Sequence, residues 1–162
     1  PEKLEKHIIF IKIHNIGFTY TTYYVNDQIK GTRYLIRAEK KLDYRKMLQN
    51  NYIGCLTAIY DRQLAGTGYM PLINKRQDWA LWLKILKKIP YAMGIEQPLA
   101  IYRIHGNSLA SNKLDLIKYT WGIYKSVENF PFILSISLLT RYMYFYFKRR
   151  KAMEIYHGNF YQ

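Results

Sequence analysis

The chain has 162 residues, enough to bury the core of one domain and short for two. Its 49% apolar and 22% charged residues exclude a disordered protein. With 25 Lys and Arg against 11 Asp and Glu the formal net charge is +14, a field that draws polyanions: nucleic acid, anionic lipid or nucleotide-linked substrates.

PEKLEKHIIFIKIH carries Leu4, Ile8 and Ile11 at helical spacing after Pro1, which predicts an amphipathic helix over about the first dozen residues. The same segment has neither the pattern of a secretory signal nor an initiator methionine, and reads as the middle of something longer. FTYTTYYVNDQIKGTRYLIR holds two β-branched and aromatic runs separated by Asn26, Asp27 and Gly31, the pattern of an antiparallel hairpin over 18–37. DYRKMLQN is a short helix with Asp43 as its N-cap. NYIGCLTAIYD is rich in β-formers and predicts a strand near 53–60, with Gly54 marking a bulge or a close backbone approach. Cys55, the only cysteine, excludes an intramolecular disulfide, points to a reducing compartment, and reads as a buried structural thiol.

A glycine-bearing loop over 64–71 leads to KRQDWALWLKILKK, where Trp79, Trp82, Leu83 and Leu86 mark the buried stripe of a helix and Lys84, Lys87 and Lys88 its wet side. YAMGI and QPLAIYRI read as two short strands, the second near 99–103. KLDLIKYTWGIYKSVEN is a helix interrupted at Gly122, and Pro131 breaks the chain before FILSISLLTRYMYFYFKRRK. That tail is shorter than a bilayer span and carries Arg141 near its middle, so a full crossing is not expected. Two placements fit it: in a membrane interface, tyrosines at headgroup level and its basic end on anionic lipid, or packed on the rest of the protein.

Phosphate loops, dinucleotide fingerprints and nucleophile elbows are absent from the sequence, and His7, His14, His105 and His157 lack metal-ligand spacing. Two patches concentrate the remaining chemistry. In RQDWALW, Asp78 shares a helical face with Trp82 and Ile85; it suits a helix cap, and equally a general base at the mouth of an apolar stripe. IYRIHGNSLASNK sets Arg103, His105, Asn107, Ser108 and Lys113 after a strand, either a donor-rich loop suited to phosphate or a solvated turn before a helix.

QDWALWLKILKK, PLAIYRIHGNSLASNK and a following W-G-I-Y helix, in this order, resemble the second half of bacterial family 2 glycosyltransferases of the GT-A fold. NYIGCLTAIYD resembles that family's strand N-x-I-G-x-S-T, and PEKLEKHIIF the helix after its metal-binding aspartates. The resemblance runs to about Asn129 and implies an α/β fold: a partial GT-A-like mixed sheet flanked by helices, with a C-terminal helical pair. It divides the chain into an acceptor-side portion over 1–129 and an apolar, basic C-terminal helix over 130–162. It implies inverting transfer of a sugar from a nucleotide-sugar donor to a glycan or lipid-linked acceptor, at the inner face of the plasma membrane, in polysaccharide biosynthesis. It makes Asp78 the base that deprotonates the acceptor hydroxyl, Trp79 and Trp82 walls of the pocket, and Arg103 and His105 the groups facing phosphate or metal.

The family enzyme uses a divalent cation, Mn or Mg, held by a D-x-D motif. That motif is missing here, and Gln77 stands where the family has a second acid. The expectation is a portion lacking the donor-binding half, with little activity by itself, an open sheet edge and a tendency to self-associate. The competing expectation is a non-enzymatic basic module on anionic membrane or nucleic acid; the chain has no nucleic-acid fold signature.

Overall fold

The structure, a computed structural model, describes residues 2–105, 113–151 and 154–155. Helix α1 (Glu2–His14) leads into the hairpin β1 (Phe18–Asp27) and β2 (Thr32–Ile36), which pair antiparallel from Tyr23↔Ile36 to Asp27↔Thr32, as the two β-rich runs predict. Strand β3 (Lys41–Leu42), helix α2 (Tyr44–Met47), strand β4 (Ile59–Tyr60) and the single-turn helix α3 (Arg62–Ala65) follow. Then come α4 (Gln77–Leu86), β5 (Ala92–Ile104), α5 (Lys113–Gly122), α6 (Phe132–Lys151) and β6 (Glu154–Ile155). The sheet is mixed, in the order β3-β5-β1-β2-β6, with β5 parallel to β1 and β4 antiparallel to the start of β1. This is the mixed α/β architecture that the resemblance implies, with α5 and α6 as the C-terminal helical pair.

Three local expectations are corrected. The segment read as one strand near 53–60 is a 3-10 turn at Cys55–Thr57 followed by only two strand residues, and Cys55 is exposed rather than buried. Thr57 turns its hydroxyl back onto the Gly54 carbonyl (2.7 Å), which closes the turn and ends the extended run. The two short strands read in 91–104 are one strand, β5; its register against β1 shifts around Thr21 to Tyr24, which absorbs the polar Glu96-Gln97 interruption without ending the pairing. In α1 most of the stripe marked by periodicity turns outward: Leu4 and Ile8 are exposed, as are Ile9 and Ile13, Ile11 is half-buried, and the residue buried is His7. Lys3, reaching the Leu56 carbonyl, and His7, bonded to Thr19, anchor the opposite face of the helix.

Burial holds the His7 imidazole at a pKa of about 4, below its ordinary 6.5, and the Lys3 charge adds to this. The unfolded chain therefore takes up the proton first. Stability from this site is complete above pH 6.5 and is lost as the pH falls toward 4. His7→Gln keeps a partner for Thr19 and removes the titration, so its urea midpoint should fall less than the native midpoint between pH 7.5 and 4.5; equal falls would refute the assignment.

The core lies between the sheet and α4, with α6 and the turn after α5 closing it. All of α4 except Gln77, Asp78 and Lys84 is buried, so the stripe of two tryptophans and two leucines widens to include Ala80, Leu81 and Ile85. Trp79 donates its indole N–H to the Met47 carbonyl (2.9 Å) and packs on Tyr124 and Tyr142, with ring centroids at 5.8 and 5.3 Å. Trp82 lies on Phe18 of β1 at 5.1 Å. After Gly122 the helix widens to a π-turn, Ile123–Val127, which brings both Ile123 and Tyr124 into the core.

Gly94 of β5 passes directly under the backbone at Glu39, whose carbonyl would stand 2.3 Å from any added Cβ and also receives the Tyr20 hydroxyl. Gly94→Ala must push β5 off that segment, at a cost of about 1–3 kcal/mol. A chemical-denaturation midpoint unchanged from the native protein would contradict this contact.

Candidate functional site

Asp78 is the second residue of α4, in its first turn beside the loop, and is half-buried. It is not the N-cap. That position is Arg76, held in the left-handed region (φ 70°) with its guanidinium on the Tyr142 hydroxyl of α6 (2.8 Å). Asp78 nevertheless takes up a first-turn donor, the Trp79 amide, on Oδ1 (2.8 Å), while Oδ2 accepts from Asn51 Nδ2 at 3.3 Å. The carboxylate is thus fixed from two sides by neighbours that sit on the buried face of α4 and on the loop after α2.

Around it lie residues that sequence spacing does not single out. Burial holds the Tyr23 phenol of β1 above its ordinary pKa; Arg149 of α6 pulls it back, and Tyr102 and Asp78 push it up. One ring therefore feels both the carboxylate and the guanidinium. Arg149 donates to the backbone carbonyl of Asn51 (3.4 Å) and stands 4.5 Å over the Tyr52 ring. Partial burial raises the Cys55 thiol, the Asp78 carboxylate raises it further and Lys3 lowers it; Gly54 beside it lies against the Tyr23 ring, so the exposed cysteine stands on the same rim. Asn51, Tyr23, Arg149 and Cys55 come from a loop, a strand, a helix end and a turn; only the fold makes them neighbours.

The remaining sequence-predicted residues divide by position. Trp79 and Trp82 are core residues, 0% and 4% exposed, which back the first turn of α4 from beneath. Trp82 Nε1 has no protein acceptor among the described residues. Arg103 and His105 stand at the end of β5 beside the hairpin turn, where His105 Nδ1 bonds Gln28 Oε1 at 2.8 Å. Val25 pairs with Tyr102 and Asn26 with Arg103, so strand alternation sends Tyr102 to the face of Tyr23 and Val25, and Arg103 to the other. Asp78 and Arg103 are therefore not brought together. Lys113 opens α5 and its side chain, like all of Asn107 and Ser108, lies outside the described residues.

The arrangement suits proton abstraction: a half-buried carboxylate, fixed at both oxygens, at an open rim with a guanidinium across a phenol. It does not by itself suit a metal. Among the described residues no three of His, Cys, Asp and Glu come together, so a divalent cation would need ligands that these residues do not supply. Among the described residues a hollow of about 410 Å³ between Asp43, Arg45, Leu86 and Lys87 lies at the far end of α4 from Asp78, and another of about 340 Å³ lies against Leu4, Ile8 and Ile9 of α1.

No protein-family model matches the chain. Curated relatives do. The chain is 38% identical over 143 residues to the glycosyltransferase TuaG of Bacillus subtilis, assigned to teichuronic acid biosynthesis, covering 87% of this chain and 56% of that protein. It is 36% identical over 124 residues to WfgD of Escherichia coli, named as a UDP-Glc:alpha-D-GlcNAc-diphosphoundecaprenol beta-1,3-glucosyltransferase, covering 75% of this chain and 47% of that one. WfaP of Escherichia coli, which bears the same enzyme name, is 30% identical over 125 residues, covering 77% of this chain and 49% of WfaP. The chain spans about half the length of the curated relatives it matches, and the matching half is homologous to glycosyltransferases.

Proposed function

We propose that the chain is the acceptor-side portion of an inverting, family 2, GT-A-type glycosyltransferase, in which Asp78 removes the proton of the acceptor hydroxyl as it attacks the anomeric carbon of a nucleotide-sugar. The observation that carries this reading is the fixed carboxylate at the open first turn of α4, in a chain homologous to half of several glycosyltransferases. A sugar hydroxyl is a poor nucleophile until its proton has a place to go, and a positioned carboxylate supplies it. The names of WfgD and WfaP favour a UDP-sugar donor and a diphosphate-linked polyprenol acceptor. A divalent cation, Mn or Mg, would be held by a donor-binding half and not by the residues described here. Trp79 and Trp82 would serve by fixing the first turn of α4, Arg103 and His105 would face phosphate or metal, and Asn107, Ser108 and Lys113 would be further substrate-binding residues. A fusion of this chain to the N-terminal half of WfgD, assayed with UDP-glucose and GlcNAc-diphospho-lipid, should transfer glucose; a folded fusion without transfer overturns the reading.

A lipid-linked acceptor calls for a place at the membrane. No helix among the described residues is long and apolar enough to cross one. The outer flank of α6 supports peripheral attachment: Ile133, Tyr144 and Phe147 are 82%, 62% and 51% exposed, and Arg141, Lys148 and Arg150 are exposed beside them. Flotation with vesicles containing phosphatidylglycerol should recover the protein, and Ile133→Ser with Phe147→Ser should release it. Equal recovery of that double variant would exclude α6 as the attachment face.

A further inference from the structure

We propose that Arg149, at the C-terminal end of α6, is a diphosphate-binding residue of the Asp78 site. Its surroundings are unusual for a half-buried arginine. The guanidinium lies 4.5 Å over Tyr52, and its one hydrogen bond among the described residues is a long 3.4 Å contact to the Asn51 carbonyl. Among the described residues no carboxylate pairs with it. Glu39, which shares its influence on Tyr20 and Tyr52, is taken by Lys46 at 2.8 Å, and Asp78 is held by Asn51 and the Trp79 amide. A partly desolvated guanidinium that makes one long hydrogen bond among the described residues is suited to an anion: it presents a planar fork, matches phosphate oxygens two at a time, and gains most where water is partly excluded.

Its position supplies the role. Arg149 and Asp78 act on the same Tyr23 ring and meet the same residue, Asn51, one at the backbone carbonyl and the other at the side-chain amide. A phosphate on Arg149 would therefore stand beside the carboxylate, where a sugar carried on a diphosphate presents its hydroxyl, or where a nucleotide diphosphate departs. Both sources share one chemistry. The assignment rests on the transferase reading for the role of the ligand, but not for its binding.

The experiment is calorimetric titration of the whole chain with inorganic pyrophosphate at about 0.15 M salt, where the long-range pull of the basic surface is largely screened. Arg149→Gln should weaken binding about tenfold, and Arg149→Lys should fall between, since it keeps the charge and loses the fork. Arg150→Gln, exposed on the next position, and Asp78→Asn should bind at least as well as the native chain. Unchanged affinity in Arg149→Gln, or an equal loss in Arg150→Gln, overturns the proposal and leaves Arg149 as a tether of α6. UDP and farnesyl diphosphate are then added as competitors. Displacement by UDP alone assigns the nucleotide, by farnesyl diphosphate alone the lipid-linked acceptor, and by both the diphosphate common to them; displacement by neither overturns the proposal. Loss of transfer chemistry at Asp78 would not touch these outcomes, so the two readings fail separately.

Discussion

Asp78→Asn should abolish sugar transfer in the fusion that carries a donor half, lowering kcat by about 10² to 10⁴ while leaving KM near its native value. The substitution is nearly isosteric. One oxygen remains to accept the Trp79 amide that Oδ1 accepts now at 2.8 Å, so the first turn of α4 keeps its partner and the protein should melt close to the native temperature. What is removed is the acceptor for a proton. A variant that keeps native kcat would take Asp78 out of the chemistry and leave it as a first-turn anchor; one that raises KM alone would make it a ground-state contact.

Trp79→Ala should be the most destabilising single truncation on α4, costing about 3–5 kcal/mol by urea denaturation. This is a large part of the total for a domain of ordinary stability, about 5–15 kcal/mol. The indole is fully buried, its N–H satisfies the Met47 carbonyl, and its ring joins Tyr124 to Tyr142 of α6. Loss of the ring therefore loosens three elements together. Trp79→Phe strands the Met47 carbonyl, whereas Trp82→Phe strands no protein acceptor among the described residues. Trp82→Phe should be the milder change; the reverse order would contradict the hydrogen-bond assignment.

Where local pattern and tertiary environment agree, the fold is legible in the sequence. The hairpin follows from two β-branched runs around a polar turn, Asp43 does cap α2 through the Lys46 amide (2.7 Å), and α4 follows from its apolar spacing. Legibility fails where a partner decides. Leu4, Ile8 and Ile11 have the period of a buried stripe, but Leu4 and Ile8 are exposed, and polar anchors Lys3 and His7 choose the face that α1 turns inward. Gln97 and Pro98 look like a strand end; pairing along β1 carries β5 through them. Of the candidate site the sequence singles out one residue. Spacing leaves Asp78 open between a cap and a base and the family resemblance favours the base, while Asn51, Tyr23 and Arg149 come from distant segments and carry no local signature. Arg149 in particular is disguised within a basic run that reads as one solvated cluster.

The parallel pairing of β1 with β5 sets an order of assembly. The β1–β2 hairpin closes across a four-residue turn, and α4 gains its bonds locally, so both can form without the rest of the chain. The Val25↔Tyr102 pairing closes a loop of more than seventy residues, so it should form later than either, because the entropy of closing that loop is spent before any ladder bond repays it. Until then the aromatic inner face of β1 stands uncovered. The step that completes the sheet is therefore also the step that ends the chain's most adhesive interval, and slow β5 docking, rather than weak native packing, is where refolding yield should be lost as protein concentration rises.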